Sequence, residues 1–180
     1  MTNDKITALA RTIRLLLMDV DGVMTDGRIY PIPDGHGGMT ETKGFTSQDG
    51  IALQWCHRIG LETGLISGRD SAATLARAAQ LRMKYVYQGH TEKIPILEQI
   101  LADSGRPAGE IAYIGDDFTD VPIFHRVGLA VATANARPEV KQHAYYITRT
   151  PGGGGAVREV VELLFKAQGQ WEEILRKYEI

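Results

Sequence analysis

The sequence lacks several features that would place it in a specialised class of protein. Its 180 residues contain one cysteine, Cys56, so no internal disulfide can form, and a lone cysteine in a helical apolar pattern is typically a small buried side chain. No apolar run reaches the roughly 18 residues that a membrane span needs, and the N-terminus has no long apolar segment of a secretory signal. The net charge of −2 comes without a basic stripe, which argues against nucleic-acid binding. We therefore expect a soluble, cytoplasmic protein with no membrane or nucleic-acid partner.

The pattern of apolar residues that is present indicates the class of fold. Short apolar runs alternate with segments of helical period, which is typical of a parallel sheet covered by helices. Strands are predicted at Ile13–Met18, Glu62–Ile66, Lys84–Tyr87, Ile111–Ile114, Leu129–Ala132 and Tyr145–Ile147. Helices are predicted at Ile51–Ile59, Ser71–Leu81, Lys93–Ala102, Asp120–Arg126, Val157–Ala167 and Trp171–Lys177. We expect an α/β fold, a three-layer α/β/α Rossmann-like parallel sheet, in a single domain over residues 1–180.

Small residues mark some of the predicted helix ends. Asp70 suits the N-cap position before Ser71–Leu81, because its carboxylate can accept a free N–H of the first turn. Gly60 and Gly105 each follow a predicted helix, where the backbone often turns into the left-handed conformation that glycine tolerates.

Two segments interrupt the alternation. Residues 27–45 are rich in turn residues, and Arg28–Tyr30 and Thr40–Phe45 are predicted to form the arms of a β-hairpin flap rather than a large cap domain. The tail, about residues 148–180, begins with the glycine run Gly152–Gly155 before its predicted helix. Such a run is either a flexible hinge or a backbone that must pass close to another group, and the sequence leaves both open.

The strongest chemical signal is the segment LLLMDVDGVMTDG. Its apolar strand delivers Asp19 and Asp21 at the carboxyl end, where open α/β sheets place their ligands. Two carboxylates this close repel each other unless a cation or a shared proton relieves them, so Mg²⁺ is a natural partner. Gly22 lets the backbone curl so that its N–H groups can face an anion.

Polar side chains also follow three later strands. Ser67, in LISGR, offers a hydroxyl and a backbone N–H at a helix start, which suits a phosphate oxygen. Lys93, in GHTEK, supplies a cation as its helix begins. Asp116, Asp117 and Asp120, in YIGDDFTD, are a plausible second half of a site for a hard cation. Each signal is weak alone, but all of them fall at carboxyl ends of strands, and together they predict one site.

These motifs resemble a known family. DxDGxxT, Ser67, Lys93 and GDDxxD are similar to the four motifs of the haloacid dehalogenase superfamily. The similarity extends to its 3-deoxy-D-manno-octulosonate 8-phosphate phosphatase group over roughly Leu15–Gly169. It is carried by DVDGVMTDGRIY, LISGR, YQGHTEK, AYIGDDFTD and GGGGAVREVVELLFKAQG.

The resemblance implies a Mg²⁺-dependent phosphatase with assigned roles. Asp19 would attack phosphorus to form an aspartyl-phosphate, and Asp21 would protonate the leaving oxygen and later activate water. Ser67 and Lys93 would hold the transferring phosphoryl oxygens. The metal ligands would be the Asp19 carboxylate, the Asp21 carbonyl and Asp116, while Asp117 and Asp120 would fix waters and Lys93 around them.

The resemblance also implies a set of substrate-binding residues: Asp21, Gly22, Thr46, Ser47, Gln48, Asp49, Gly50, Gln54, Gly68, Arg69, Arg77 and Lys93. The chain departs from the family here, because Gln48 and Gln54 replace two arginines and Gly154 stands where arginine is common. Glutamine cannot grip a carboxylate as arginine does. Arg69 favours octulosonate over nine-carbon sugar acids.

The resemblance finally implies a homotetramer, in which a neighbouring subunit helps to cover each site, and a place in lipopolysaccharide biosynthesis. Arg149 and Arg158 in the tail would then present positive charge to an acidic substrate. Two alternatives stay open: the same chemistry on another small phosphoester, such as a nine-carbon sugar-acid 9-phosphate, and a non-catalytic, receiver-like Mg²⁺-binding domain.

Overall fold

The structure, a computed structural model, describes residues 3–180. Its strands are β1 (Leu15–Met18), β2 (Tyr30–Pro33), β3 (Met39–Thr42), β4 (Glu62–Ile66), β5 (Tyr85–Tyr87), β6 (Ile111–Gly115), β7 (Leu129–Ala132) and β8 (Tyr146–Ile147). Its helices are α1 (Asn3–Thr12), α2 (Ser47–Ile59), α3 (Ala72–Gln80), α4 (Ile94–Ser104), α5 (Val121–Phe124), α6 (Pro138–Lys141), α7 (Ala156–Ala167) and α8 (Trp171–Lys177). No helix in this part of the chain is long and apolar enough to cross a membrane.

Six strands form one sheet in the order β5-β4-β1-β6-β7-β8, and every neighbouring pair is parallel. The chain leaves β1 toward β4 on one side and later returns to β6 on the other side. The strand order therefore reverses between β1 and β6. Open α/β sheets bind their ligands at the carboxyl ends of the strands beside such a reversal. The predicted three-layer α/β fold is confirmed.

Strand β1 is buried on both faces, which explains its unbroken apolar sequence. Leu16 and Met18 point into the core that also holds the apolar faces of α2 and α7. Leu15 and Leu17 point to the opposite side, into a second core shared with α4 and α5. Helices thus cover both faces of the sheet and hold the end of β1 in a fixed position.

The predicted flap is present as the antiparallel pair β2–β3, which pairs Tyr30 with Thr42 and Pro33 with Met39. Its first arm begins two residues later than predicted and its second arm ends three residues earlier. The exposed first arm contains two prolines, Pro31 and Pro33, which is compatible with a strand that has only one neighbour. Between β1 and α2 the structure shows no other strand or helix, so this hairpin stands in place of a large cap.

Several predicted boundaries are wrong in detail. Ser71, not Asp70, is the N-cap residue of α3, since its side chain accepts the N–H of Thr74. Helix α2 starts four residues before its predicted start at Ile51. The predicted helix Asp120–Arg126 is a short 3₁₀ turn followed by α5. Gly60 and Gly105 do adopt the left-handed conformation that their position after a helix predicts.

The last two helices enclose an aromatic cluster. Trp55 of α2 packs edge-on against Trp171 of α8, with ring centres 5.9 Å apart. Its indole N–H donates a hydrogen bond of 3.1 Å to the hydroxyl of Tyr178. The guanidinium of Arg158, at the start of α7, lies 4.8 Å from the centre of the Trp55 ring, within the range of a cation–π contact. The cluster ties the start of α7 to α2.

Candidate active site

Three acidic side chains meet where β1 and β6 end. Asp19, Asp116 and Asp120 each place a carboxylate oxygen within 4.8 Å of the others. The first follows β1 directly and is 8% exposed, and its backbone N–H continues the sheet by donating to the carbonyl of Ile114 in β6. The Asp19 carboxylate accepts the N–H of Val20 at 2.7 Å, which fixes its orientation. The cluster therefore stands at the reversal of strand order.

Lys93 is the cation of this cluster. Its ammonium lies 2.7 Å from Oδ1 of Asp120 and 3.1 Å from Oδ1 of Asp19. It also donates to the hydroxyl of Tyr113 at 3.1 Å. Burial works against the charged ammonium, yet the two carboxylates outweigh it and raise the pKa of Lys93 above its usual value. The side chain is therefore a permanently charged group held beside Asp19.

Asp120 organises the cluster and has no free oxygen for a ligand. Its Oδ1 accepts hydrogen bonds from Lys93 and from the Tyr113 hydroxyl, and its Oδ2 accepts the backbone N–H groups of Asp116 and Asp117. This contact set agrees with its expected role of fixing Lys93. Asp117 is exposed and caps the following 3₁₀ turn, so its side chain lies outside the acid cluster.

Asp19 and Asp116 together offer a donor set that fits a hard divalent cation. Burial raises the pKa of Asp19 to about 6, against the opposing attraction of Lys93. Burial and then the neighbouring carboxylates raise the pKa of Asp116 to about 8. Within the described residues, Oδ1 of Asp116 is buried and has no hydrogen-bond partner. Crowded acids with one unpartnered oxygen are what a cation between them would stabilise.

Gly22 is required beside this donor set. Its φ is +88°, and a Cβ at this position would lie 2.0 Å from Oδ2 of Asp116. A side chain here would therefore displace the carboxylate, in addition to straining the backbone. The carbonyl of Gly22 accepts hydrogen bonds from the amide of Asn135 and the hydroxyl of Thr133. Sequence analysis did not find these two side chains, which carry no charge.

Ser67 lies at the end of β4 and is 1% exposed. Its hydroxyl accepts the N–H of Arg69, which leaves the hydroxyl proton free to be donated. The expectation that its backbone N–H would also face a phosphate is wrong, because that N–H donates to the carbonyl of Tyr87 in β5. Helix α3 also begins only at Ala72, so Ser67 is not at a helix start. Gly68 is half-buried next to it.

The side chain of Asp21 points away from the acid cluster, toward the hairpin. Both of its oxygens accept hydrogen bonds from the ammonium of Lys43, at 2.7 and 2.8 Å. Lys43 follows β3 and is buried, and it also lies 3.5 Å from Glu41. Arg69 pairs with Glu41 at 2.5 Å and approaches Asp21 at 4.0 Å. Sequence analysis missed Lys43 and Glu41, since charged residues in a turn-rich segment are usually solvated.

The glycine run passes close to the loop after β1. A Cβ on Gly152 would lie 1.9 Å from the carbonyl oxygen of Gly22, and one on Gly153 would lie 2.4 Å from the backbone nitrogen of Asp26. The N–H of Gly152 donates to Oδ1 of Asn135, and that of Gly153 donates to the carbonyl of Val23. Of the two readings of the run, close passage is therefore the one that the structure supports.

Asp49 and Arg77 contact protein groups rather than the acid cluster. Oδ1 of Asp49 accepts the N–H of Arg158 at 2.7 Å, so this buried carboxylate caps α7 from a distance. Burial raises its pKa to about 6. The Arg77 guanidinium donates to the carbonyl of Thr46 at 3.2 Å, and a Cβ on Gly50 would lie 2.3 Å from its Nη2. Arg77 therefore holds the residue before α2 against α3, and Asp49 holds the start of α2 against α7.

The two glutamines that replace family arginines lie in different pockets. Gln48 lines a cavity of about 220 Å³ together with Arg149 and Arg158. Gln54 lines a separate cavity of about 330 Å³ between α2 and the end of α3, beside Gln80. Ser47 is exposed at the first residue of α2. The structure thus brings Gln48 to the tail but leaves Gln54 apart from it.

Comparison with known proteins agrees with this geometry. Residues 47–160 match the model of a family described as haloacid dehalogenase-like hydrolase. The 3-deoxy-D-manno-octulosonate 8-phosphate phosphatase KdsC of Escherichia coli (strain K12) is 39% identical over 168 residues, which cover 93% of this chain and 87% of the relative. The crystal structure of the phosphatase of that name from Yersinia pestis superposes with a TM-score of 0.89 and 38% identity, covering 94% and 89% of the two chains.

A further crystal structure shows such a protein with ligands. The 3-deoxy-D-manno-octulosonate 8-phosphate phosphatase from Moraxella catarrhalis, in complex with a magnesium ion, a phosphate ion and a KDO molecule, has a TM-score of 0.92 and 36% identity. It covers 98% of this chain and 99% of its own.

The parallel sheet, the acid cluster at its reversal point and the buried lysine define a phosphatase of the haloacid dehalogenase-like hydrolases, and the chain belongs to that family. Within the family it belongs to the group of 3-deoxy-D-manno-octulosonate 8-phosphate phosphatases. It shares more than a third of its residues with each relative from that group described above.

Proposed function

We propose that the protein hydrolyses 3-deoxy-D-manno-octulosonate 8-phosphate to the free sugar acid and phosphate through an aspartyl-phosphate intermediate. The observation that carries this proposal is the pairing of Asp19 with Lys93 beside Asp116 at the reversal point of the sheet. This arrangement sets a nucleophile, a cation for the phosphoryl oxygens and a donor for a divalent metal around one point. The proposed substrate is taken from the names of the similar 3-deoxy-D-manno-octulosonate 8-phosphate phosphatases.

Mg²⁺ is the proposed cofactor, held by the carboxylates of Asp19 and Asp116 and by the backbone carbonyl of Asp21. When bound, it neutralises charge on the phosphoryl oxygens and on the crowded carboxylates. The unpartnered oxygen of Asp116 supports this assignment.

The proposed reaction has two steps. In the first, a carboxylate oxygen of Asp19 forms a bond to phosphorus while the bond from phosphorus to the sugar oxygen breaks, and Asp21 gives that oxygen a proton. In the second, Asp21 takes a proton from water, whose oxygen attacks phosphorus and releases Asp19 and inorganic phosphate. Lys93 and the Ser67 hydroxyl hold the phosphoryl oxygens in both steps, which is how phosphoryl transfer is mainly catalysed.

We propose that Arg69 meets the acidic sugar, because it is half-exposed and lies within 4.0 Å of Asp21. Gly22, Thr46, Ser47 and Gly68 complete the proposed substrate surface. Gln48, in the pocket with Arg149 and Arg158, supports a second candidate, a phosphatase of the same chemistry for a different acidic sugar phosphate. Replacing an arginine by glutamine there changes how a substrate carboxylate is held.

A phosphate-release assay with Mg²⁺ tests both candidates. The panel contains 3-deoxy-D-manno-octulosonate 8-phosphate, a nine-carbon sugar-acid 9-phosphate and neutral sugar phosphates. We expect the highest kcat/KM for the octulosonate ester. A higher value for the nine-carbon ester would favour the second candidate, and no release from any ester would favour a receiver-like binding domain. The double variant Arg149→Ala, Arg158→Ala, with its melting temperature measured first, shows whether the tail arginines raise kcat/KM only for acidic substrates or for neutral ones as well.

We further propose a cytoplasmic homotetramer that acts in lipopolysaccharide biosynthesis and folds as one domain over residues 1–180. The group resemblance supports the assembly and the pathway. Light scattering coupled to size-exclusion chromatography tests the assembly, and a single unfolding transition, seen by two spectroscopic probes, tests the single domain.

A further inference from the structure

We propose that Lys43 is the positioning residue for Asp21: it holds this carboxylate toward the leaving group and away from the metal-binding acids, and so couples proton donation to the hairpin. The inference rests on the proposed function, because it presupposes that Asp21 is the acid and base of a phosphatase. It assigns a role to a residue that follows β3, outside every motif of the sequence.

The contact geometry fixes the carboxylate rather than only neutralising it. The ammonium of Lys43 donates to both oxygens of Asp21, at 2.7 and 2.8 Å. Because both bonds run to one ammonium, they fix the direction in which the carboxylate points, toward the hairpin, whereas an unpaired carboxylate could turn to other directions. Asp21 follows Asp19 by two residues, yet it is absent from the group of acids whose oxygens lie within 4.8 Å of one another. The lysine therefore keeps the second carboxylate separate from the first.

Stability alone does not explain a lysine at this position. The side chain of Lys43 is 0% exposed, while that of Asp21 is 22% exposed. Removing an ammonium from water is costly, and replacing a buried ion pair by apolar groups is often neutral or stabilising. The carboxylate still touches water and would remain hydrated without the lysine. A buried cation that brings little net stability, bonded to the proposed proton donor, indicates a role in position.

The same contact links Asp21 to the hairpin. Glu41 of β3 lies 3.5 Å from Lys43 and 2.5 Å from Arg69, the proposed substrate-binding cation. The orientation of Asp21 and that of Arg69 thus both depend on where β3 lies. A movement of the hairpin would change acid catalysis and substrate binding together.

The test is Lys43→Met, measured on two esters with Mg²⁺. The value of kcat/KM reports steps up to departure of the leaving group. Loss of a positioned acid slows hydrolysis of a sugar phosphate, whose alkoxide leaving group needs a proton. It slows hydrolysis of p-nitrophenyl phosphate less, because the phenolate leaves without a proton. We expect kcat/KM to fall about 10²-fold for the sugar phosphate and less than about 10-fold for the aryl ester, in a variant whose melting temperature is measured first. Equal losses on both esters, or no loss, would overturn the inference.

Two further variants keep the result interpretable. Lys84→Met removes an exposed lysine that also pairs with a glutamate, Glu62, and it should change neither ester. Lys43→Cys, alkylated with 2-bromoethylamine to restore an ammonium at nearly the original length, should recover discrimination between the esters. Wild type treated with the same reagent controls for reaction at the natural thiol of Cys56, whose pKa burial raises well above the usual value. Full alkylation, verified by mass, without recovery would overturn the inference even if Lys43→Met unfolds.

Asp21→Asn separates this inference from the proposed function. If it shows the selective loss on the sugar phosphate and Lys43→Met does not, the inference is wrong and the proposed function stands. If Asp21→Asn retains wild-type rates on both esters, the proposed acid and base is wrong as well.

Discussion

Two buried lysines, Lys93 and Lys43, each pair with one of the two aspartates that follow β1. Lys93 lies 3.1 Å from Asp19 and Lys43 lies 2.7 Å from Asp21. The first lysine is the N-cap residue of α4 in the sheet-and-helix body, and the second follows β3 of the hairpin. The same ion pair is thus built once on the sheet-and-helix body and once on the hairpin, so Asp19 is held by the core and Asp21 by an element outside it.

The two pairs also differ in how strongly their surroundings hold them. Lys93 is shared between two carboxylates and a tyrosine hydroxyl, all buried in the core. Lys43 is shared between Asp21 and Glu41, both of which reach solvent. Removing Lys93 leaves unpaired charge in the core, whereas removing Lys43 leaves Asp21, which reaches water, and Glu41, which keeps Arg69 as a partner.

The largest effect is expected from Asp19→Asn, which changes the aspartate that pairs with Lys93 in the core. The amide is nearly isosteric but is the wrong nucleophile, so kcat should fall by at least about 10⁴-fold. Burial raises the pKa of Asp19 to about 6, so its charged form destabilises the fold above that pH. We therefore expect the variant to melt at a higher temperature than wild type at pH 8 without Mg²⁺. Retention of phosphate release would contradict the aspartyl-phosphate route.

The second largest effect is expected from Lys93→Met. This variant should differ from Lys43→Met both in its kinetics on the two esters and in its stability. Both esters should lose about 10²–10³-fold in kcat/KM, because the phosphoryl oxygens are common to them. The free energy of unfolding should fall by about 3–5 kcal/mol, because Asp120 is left buried beside Asp19 without its partner. Kinetics on the two esters and denaturant titration measure these changes. If Lys93→Met lowered kcat/KM only for the sugar phosphate, the proposed difference in role between Lys93 and Lys43 would be wrong.

Asp116→Ala tests the metal on the core side. In wild type, adding Mg²⁺ should raise the melting temperature, since the ion binds the folded state, and the shift should grow with its concentration. The variant should need at least about 10–100-fold more Mg²⁺ for the same shift, since that is the loss typical of a residue that only supports a ligand and Asp116 is a proposed ligand itself. Asp117→Ala, at an exposed helix-capping position, is the matched control and should keep the wild-type response.

The smallest effect is expected at Asp49, which lies in the first turn of α2 and bonds to the start of α7. Its pKa is raised to about 6 in the folded state, above the ordinary value of 3.8, so the folded state binds a proton more readily than the unfolded state. As pH falls from 7 toward 4, wild type should therefore gain more stability than Asp49→Asn, which keeps an acceptor for the N–H of Arg158 but retains only the contributions of Asp19 and Asp116. Melting temperatures across this range measure the difference, expected to be a few degrees.

The reaction centre is predictable from sequence because its side chains follow apolar strands that one parallel sheet must bring to the same edge. Asp19, Ser67, Lys93 and Asp116 all obey this rule. Lys43 does not, since its position depends on a hairpin whose residues are mostly exposed and whose strand register no apolar pattern fixes.

Other contacts escaped prediction for related reasons. The N–H of Ser67 is consumed by the neighbouring strand, which becomes visible only when the pairing of β4 with β5 is known. Asn135 bridges the carbonyl of Gly22 and the N–H of Gly152, and an uncharged amide in a loop gives no signal of such a bridge. Helix α1 precedes the motifs and is not among the helices predicted from the sequence, although its Ala10 belongs to the core.

The aromatic cluster at the start of α7 has a spectroscopic consequence. Trp55 and Trp171 are the two tryptophans of the chain, and they lie within 5.9 Å of each other at the helix that follows the glycine run. Arg158, whose cation lies over Trp55, also donates its N–H to Asp49. Ultraviolet emission of the unlabelled protein therefore reports on this one junction. A ligand that shifts the glycine run should change the intensity of emission, and rapid mixing can time that event against phosphate release without any attached dye.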